Sequence, residues 1–261
     1  VSNFVGFFDT WLCGENVGML HLMNVVAHAM NGILLFLILR AATGALWRSA
    51  FAAAIFVLHP VNTENVVSWC RGPTLIVSFF FMIAFLVYLY YSRRPSLKRY
   101  ALIVACLFLA LMSKPSIIYL PFLLLLFDYW PLKRWCQDPQ GASKNRYASA
   151  PPSRLILEKV PLLLILAFWL AVCLFVVRMG PPLPENAPQP VSYWYLFNMP
   201  VTYLIYLWKF IYPLHLPFYI PDVTEPPAML PLWQVFLSTA FLGALTAAVF
   251  HWRKKSPFLF T

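Results

Sequence analysis

The apolar residues of this chain fall in eight blocks, several of them about as long as the roughly 20 residues a helix needs to cross a hydrocarbon core. The blocks run 17–39, 47–58, 73–91, 100–112, 116–127, 155–177, 193–212 and 230–250. The second, fourth and fifth are short for a span, and tilt or neighbouring helices would have to accommodate them. Only 11% of residues are charged while 61% are hydrophobic. A soluble domain carries roughly 25% charged residues on its surface. A soluble globular fold is therefore excluded, and the expectation is an all-α polytopic membrane protein.

Charge placement supplies a topology. Of the 19 Lys and Arg, 15 lie at Arg40, Arg48, Arg93, Arg94, Lys98, Arg99, Lys133, Arg134, Lys144, Arg146, Arg154, Lys159 and 253–255. Alternating spans would put all of these on one side, and the positive-inside rule makes that side cytoplasmic. The opposite side then holds Arg71, Lys114, Arg178 and Lys209 with most of the carboxylates. The net charge of +10 thus reflects topology and contact with anionic lipid. Nucleic acid is not expected as a partner, because no basic stripe with interleaved aromatics lies in a soluble segment.

Alternation fails once. Blocks 155–177 and 230–250 fix both ends of block 193–212 on the outer side. That block is rich in Tyr and Trp and is interrupted by Asn198, Pro200 and Lys209, so it reads as an interfacial or re-entrant helix. The expectation is about seven transmembrane helices plus this one. Residues 1–261 form a single transmembrane domain, with a cytoplasmic loop at 132–154 whose polar stretch 137–152 reads as mobile. Pro-rich outer-face loops occupy 178–229, around the interfacial helix 193–212. No repeat is apparent.

The five cysteines show no metal spacing, and no metal site is expected. Cys13 and Cys70 share the outer side, where a disulfide is one reading. The chain begins at Val1 and stops as apolar character resumes near Phe258. It is expected to be a fragment of a longer protein.

Polar chemistry concentrates in the outer loops. The densest group is His59, Asn62, Glu64 and Arg71. At helical spacing Glu64 and Arg71 would share a face, two turns apart. They read either as a structural ion pair or as an acid/base group beside an anion clamp. Lys114, between blocks 100–112 and 116–127, is either a snorkelling lysine or a phosphate-binding cation; Pro115 suits the first turn of the helix after it. Asp9 and Glu15 are capping residues or a second acid. Lys209 and Tyr219 border the same outer side, as cavity residues or interface anchors. His21, Asn24, His28 and Asn31 form a polar stripe in the first block, read as interhelical hydrogen bonding. Asp128 reads as a structural anchor for Lys133 or Arg134.

The order of these pieces resembles a known family. His21-Leu-Met-Asn24-Val-Val-Ala-His28, Leu58-His59-Pro60-Val-Asn62-Thr-Glu64, Trp69-Cys-Arg71, Leu111-Met-Ser-Lys114-Pro115, Asp128-Tyr-Trp-Pro131, Tyr206-Leu-Trp-Lys209 and Tyr219-Ile-Pro221 are similar to motifs of the TMTC-type glycosyltransferases and their bacterial relatives. These belong to the GT-C superfamily with the protein O-mannosyltransferases, and many carry tetratricopeptide repeats. The resemblance implies a membrane enzyme that uses a polyprenyl- or dolichyl-phosphate sugar, mannose above all. It would transfer that sugar to a hydroxyl, on protein Ser or Thr, on the non-cytoplasmic face. The membrane would be the bacterial inner membrane or the endoplasmic reticulum. In that family an acidic pair in the first outer loop follows a first transmembrane helix; the resemblance implies that both are missing here, and Asp9 is not equated with the pair.

On this reading Glu64 is an orienting or base-assisting carboxylate, with Asp9 as a second acid. Arg71 and Lys114 hold the lipid phosphate, and His59, Asn62, Lys209 and Tyr219 complete the substrate surface. The co-substrate is the lipid-phosphate sugar, and the partners are membrane lipid and a protein or peptide acceptor. A transporter or flippase of a lipid-linked sugar, or a membrane scaffold without catalysis, are the alternatives. A transporter predicts ionisable residues at the midplane, for which His28 is the one clear candidate.

Overall fold

The computed structural model describes residues 11, 16–68, 72–135, 147–179, 193–213 and 230–252. Asp9, Cys13, Glu15, Cys70, Arg71, Tyr219 and most of the Pro-rich loops lie outside them. All eight apolar blocks are helical, and no strand occurs among the described residues. The helices are α1 (Val17–Thr43), α2 (Leu46–Leu58), α3 (Thr63–Val67), α4 (Gly72–Arg93), α5 (Leu97–Ser113), α6 (Leu120–Tyr129), α7 (Pro152–Leu157), α8 (Val160–Met179), α9 (Tyr193–Ile211) and α10 (Leu232–Trp252). Short 3-10 turns at Pro60–Asn62 and Pro115–Tyr119 precede α3 and α6.

Four helical stretches are long and apolar enough to cross a membrane: Val17–Thr43, Gly72–Arg93, Pro152–Val176 and Leu232–His251. Leu46–Leu58 with Pro60–Val67, bent by 48°, makes a fifth if counted as one span. Within the four apolar windows only 33%, 39%, 17% and 11% of residues are buried inside the protein. Side chains such as Phe168, Leu174 and Phe236 stand largely exposed. Continuous bare apolar surface of this kind is stable in lipid and not in water. The chain is an α-helical membrane protein.

The chain divides into two compact units, Val1–Arg178 and Met179–Thr261, and each is described by itself. In the larger unit α4 is central. Its Ala84, Phe85 and Leu89 bury against Ile103, Leu107 and Ala110 of α5, Leu120 and Leu124 from the 115–129 segment, and Leu162 and Leu166 of α8. The helix α1 runs parallel to α4. Asn24 donates to the Ser68 carbonyl at 3.1 Å and Asn31 to the Leu75 carbonyl at 3.1 Å, both across 44 positions. Constant offset is the signature of parallel chains in register.

Local sequence explains where the helices begin and end. The Asn16 side chain caps α1 by accepting from the Met19 amide at 3.1 Å, which satisfies one of the orphan amides of a helix start. Gly44 closes α1 in the left-handed region at φ 76°, its amide returning to the Arg40 carbonyl, a conformation that favours glycine. A second glycine, Gly32, faces Val57. A Cβ there would collide with the Val57 side chain, so the missing side chain sets how closely α1 and α2 approach. Pro115 occupies the first turn of its 3-10 segment as the sequence predicts.

Three connections share one end of this unit: 43–46, 93–97 and 129–152. Cross-links tie them together, since Arg93 donates to the Ala41 carbonyl, Tyr147 to the same carbonyl at 3.1 Å, and Tyr100 to the Glu158 carbonyl at 2.7 Å. The described end of the 132–154 loop is held by contacts. Tyr147 is buried, the Ala148 amide donates to Ser92 and the Ala150 amide to Arg134. In the smaller unit α9 packs against α10, burying Asn198, Val201, Val235 and Ser238. The α9 helix forms as the sequence predicts, with Pro200 inside it.

Candidate functional site

The opposite end of the larger unit carries the polar loop singled out in the sequence. The chain leaves α2 at His59, whose backbone is extended at φ −68° and ψ 126°. Its imidazole Nδ1 accepts from the Val61 amide at 3.1 Å, so one ring nitrogen is occupied in capping the turn at Pro60–Asn62. The Asn62 side chain reaches back to donate to the Phe56 carbonyl at 2.7 Å, closing the last turn of α2. Both residues therefore build the loop that would border a substrate.

Glu64 sits half-buried in the first turn of α3, where a carboxylate complements the helix dipole. The helix is short. It stops at Val67, where Ser68 turns extended at ψ 120°. The expectation that Glu64 and Arg71 stand two turns apart on one helix is thereby corrected. Asn24 is what holds the turn, by taking up the Ser68 carbonyl that the broken helix leaves.

Lys114 arrives from the far side of the core. Its backbone is extended at φ −161°, which breaks the chain direction between α5 and the 3-10 turn. The ammonium donates to the Thr74 hydroxyl at 3.3 Å. Thr74 lies in the first turn of α4, three residues after Arg71. A lysine 40 positions distant is thus delivered to the first turn of α4. The ammonium keeps two further donors for another acceptor.

The structure brings together His59, Asn62, Glu64 and Lys114 at one end of the α1–α2–α4–α5 bundle. Lys209 is half-buried in α9 of the smaller unit and its place relative to them is not described. Asp9, Arg71 and Tyr219 lie outside the described residues. Among the described residues no group of three His, Cys, Asp or Glu side chains could hold a metal ion.

The polar stripe of α1 is structural, as its spacing predicts. His28 is buried, contacts the Val57 carbonyl through Nε2 at 3.2 Å and stacks on Phe56 with ring centroids 5.3 Å apart. Asn24 and Asn31 bind backbone carbonyls as above. His21 is exposed and does not join them.

At the Arg93 end lies a charge network of which the sequence showed only one pair. Asp128 is fully buried and binds Arg134 at 3.1 Å, the Tyr88 hydroxyl at 2.6 Å, and Lys159. Glu158 adds a second carboxylate, 3.3 Å from Arg134. Asp128 as anchor of Arg134 is borne out. Lys159 and Tyr88 were missed because they are 31 and 40 positions away from Asp128, and no local spacing links them. The break between α7 and α8 at Glu158 and Lys159 turns both side chains toward the carboxylate. Burial pulls the Arg134 guanidinium down, while Tyr88, Asp128 and Glu158 pull it up, and the net is a rise above its ordinary value. Arg134 therefore keeps its charge throughout the pH range of folded proteins. Compared with known proteins, the chain matches no family model, no curated protein and no solved structure.

Proposed function

We propose that this chain is the membrane module of a GT-C-like glycosyltransferase. It moves a sugar, mannose by preference, from a polyprenyl or dolichyl phosphate to a hydroxyl of a protein acceptor on the non-cytoplasmic face. The observation that supports this most is the delivery of Lys114 to Thr74, which follows Arg71 by three residues in the sequence. A preorganised cation at the start of a membrane helix, with a half-buried carboxylate on α3 at the same end of the bundle, is the equipment that a lipid-phosphate leaving group requires.

The chemistry follows from the charges. The acceptor oxygen attacks the sugar C1 from the face opposite the phosphate, forming the new C–O bond as the C1–O–phosphate bond breaks. The acceptor proton passes to a carboxylate, and the lipid phosphate leaves with the bonding pair. Glu64 is assigned as the orienting or base-assisting carboxylate, with Asp9 as the second acid. Arg71 and Lys114 hold the departing phosphate, while His59 and Asn62 shape the loop. Lys209 and Tyr219 are assigned to the substrate surface. The finer architecture of the proposal is about seven spans with 193–212 interfacial or re-entrant, in the bacterial inner membrane or the endoplasmic reticulum. A transporter is disfavoured because His28, its midplane candidate, is engaged with the Val57 carbonyl.

The test is label transfer in detergent from a radiolabelled polyprenyl-phosphate mannose to a pool of acceptor peptides. Arg71→Ala and Lys114→Ala, each checked for folding, are compared with the wild type. Loss of transfer in both is the expected result. Undiminished transfer in both removes the phosphate assignment. A folded wild type that transfers from no lipid-linked sugar overturns the enzyme.

A further inference from the structure

The end of the larger unit opposite the candidate site has an unbalanced surface. Arg40 and Arg48 flank the turn between α1 and α2, Arg94 and Lys98 flank the turn between α4 and α5, and Arg154 stands on α7. All five are exposed. Among the described residues the carboxylates at this end are Asp128 and Glu158, and both are drawn inward. Asp128 is 0% exposed on Arg134 and Lys159, and Glu158 faces the same two cations. The buried network holds two negative and two positive groups and is neutral in itself. Among the described residues it therefore leaves no carboxylate for the outer ring, and none of the five cations has an ion-pair partner there.

Large apolar side chains are interleaved with this ring. Trp47 is 83% exposed and Leu97 84% exposed, with Leu46 and Leu157 beside the same connections. Each apolar anchor sits within one or two residues of a cation or within the same short helix. Cations alternating with exposed apolar anchors, at the ends of helices that cross a bilayer, match the level of lipid phosphates with acyl chains beneath.

We propose that this end is a docking surface for anionic phospholipid headgroups, seated on Arg40, Arg48, Arg94, Lys98 and Arg154. The partner is the lipid itself, with its phosphodiester on the cations and its acyl chains beside the apolar anchors. A surface that had kept Asp128 and Glu158 outside would have neutralised part of this ring. Burying them in an internal network keeps the ring attractive to anions.

The experiment reconstitutes the protein in phosphatidylcholine bilayers. It compares the immobilised fraction of spin-labelled phosphatidylglycerol with that of spin-labelled phosphatidylcholine by electron paramagnetic resonance. Each cation near an anionic headgroup contributes up to about a fivefold preference, and the expected overall preference is at least that large at low salt. Raising the salt should reduce it markedly, because exposed charges are screened. The triple variant Arg94→Gln/Lys98→Gln/Arg154→Gln should bring the preference toward that for phosphatidylcholine, while Arg94→Lys/Arg154→Lys should retain it. Equal immobilisation of both lipids by the wild type, or a preference that salt leaves unchanged, would overturn the proposal without any variant having to fold. A preference abolished by millimolar inorganic phosphate at constant ionic strength would also overturn it, by assigning the ring to a free anion.

Discussion

The two ends of helix α4 solve opposite problems with polar groups. At the Gly72 end polar side chains bind backbone. Asn24, Asn62 and His59 each engage a carbonyl or an amide exposed by a broken helix, and Lys114 rests on a hydroxyl. At the Arg93 end polar side chains bind one another. Tyr88, Asp128, Arg134, Glu158 and Lys159 form a network whose central groups are 0–2% exposed. The two ends are separated by a helix of 22 residues, about 33 Å at 1.5 Å per residue. One end keeps charges half-buried and able to meet a ligand. The other buries a network whose charges balance one another, and that network serves the fold.

This contrast is best broken by removing the shared carboxylate of the inner network. Asp128→Ala leaves Arg134 and Lys159 buried without their partner, and should destabilise the protein by about 3–5 kcal/mol. Reversible unfolding in mixed micelles measures this, and a loss below about 1 kcal/mol would mean that the network is wet or exchangeable. Tyr88→Phe removes one hydroxyl that contacts Asp128, Arg134 and Lys159. It should cost about 1–3 kcal/mol in the same measurement.

At the other end the stability effects should be small. Asn24→Leu removes one interhelical hydrogen bond, worth about 0.6 kcal/mol in membrane proteins. Its clearer signature is faster amide exchange at Ser68, whose amide closes α3 onto Glu64. Lys114→Met should change stability by no more than about 0.5 kcal/mol while abolishing sugar transfer. A large stability loss with transfer retained would put Lys114 with the inner network and erase the distinction.

How much of this was legible follows from the range of each signal. The helices α1, α4 and α10 could be placed to within a few residues, because an apolar run of span length has few competing folds in lipid. The hydrogen-bonding stripe at Asn24, His28 and Asn31 was legible from periodicity, since only one face of α1 meets α2 and α4. The inner pair Asp128–Arg134 was legible because six positions separate the partners. Glu64 and Arg71 misled for the converse reason. Their spacing of seven fits a continuous helix, yet Ser68 turns extended where its carbonyl finds Asn24.

The sequence by itself determined an all-helical membrane protein and the positions of its helices. Lipid offers backbone groups no partner, so helical hydrogen bonding within each apolar block is compelled. The tertiary structure alone decided that Lys114 meets Thr74 and that Asp128 is shared among Tyr88, Arg134 and Lys159. It also decided that the helix after Asn62 breaks at Ser68. Each of these rests on partners dozens of positions apart, or on a carbonyl supplied by another helix, and no local preference of the chain encodes such a meeting.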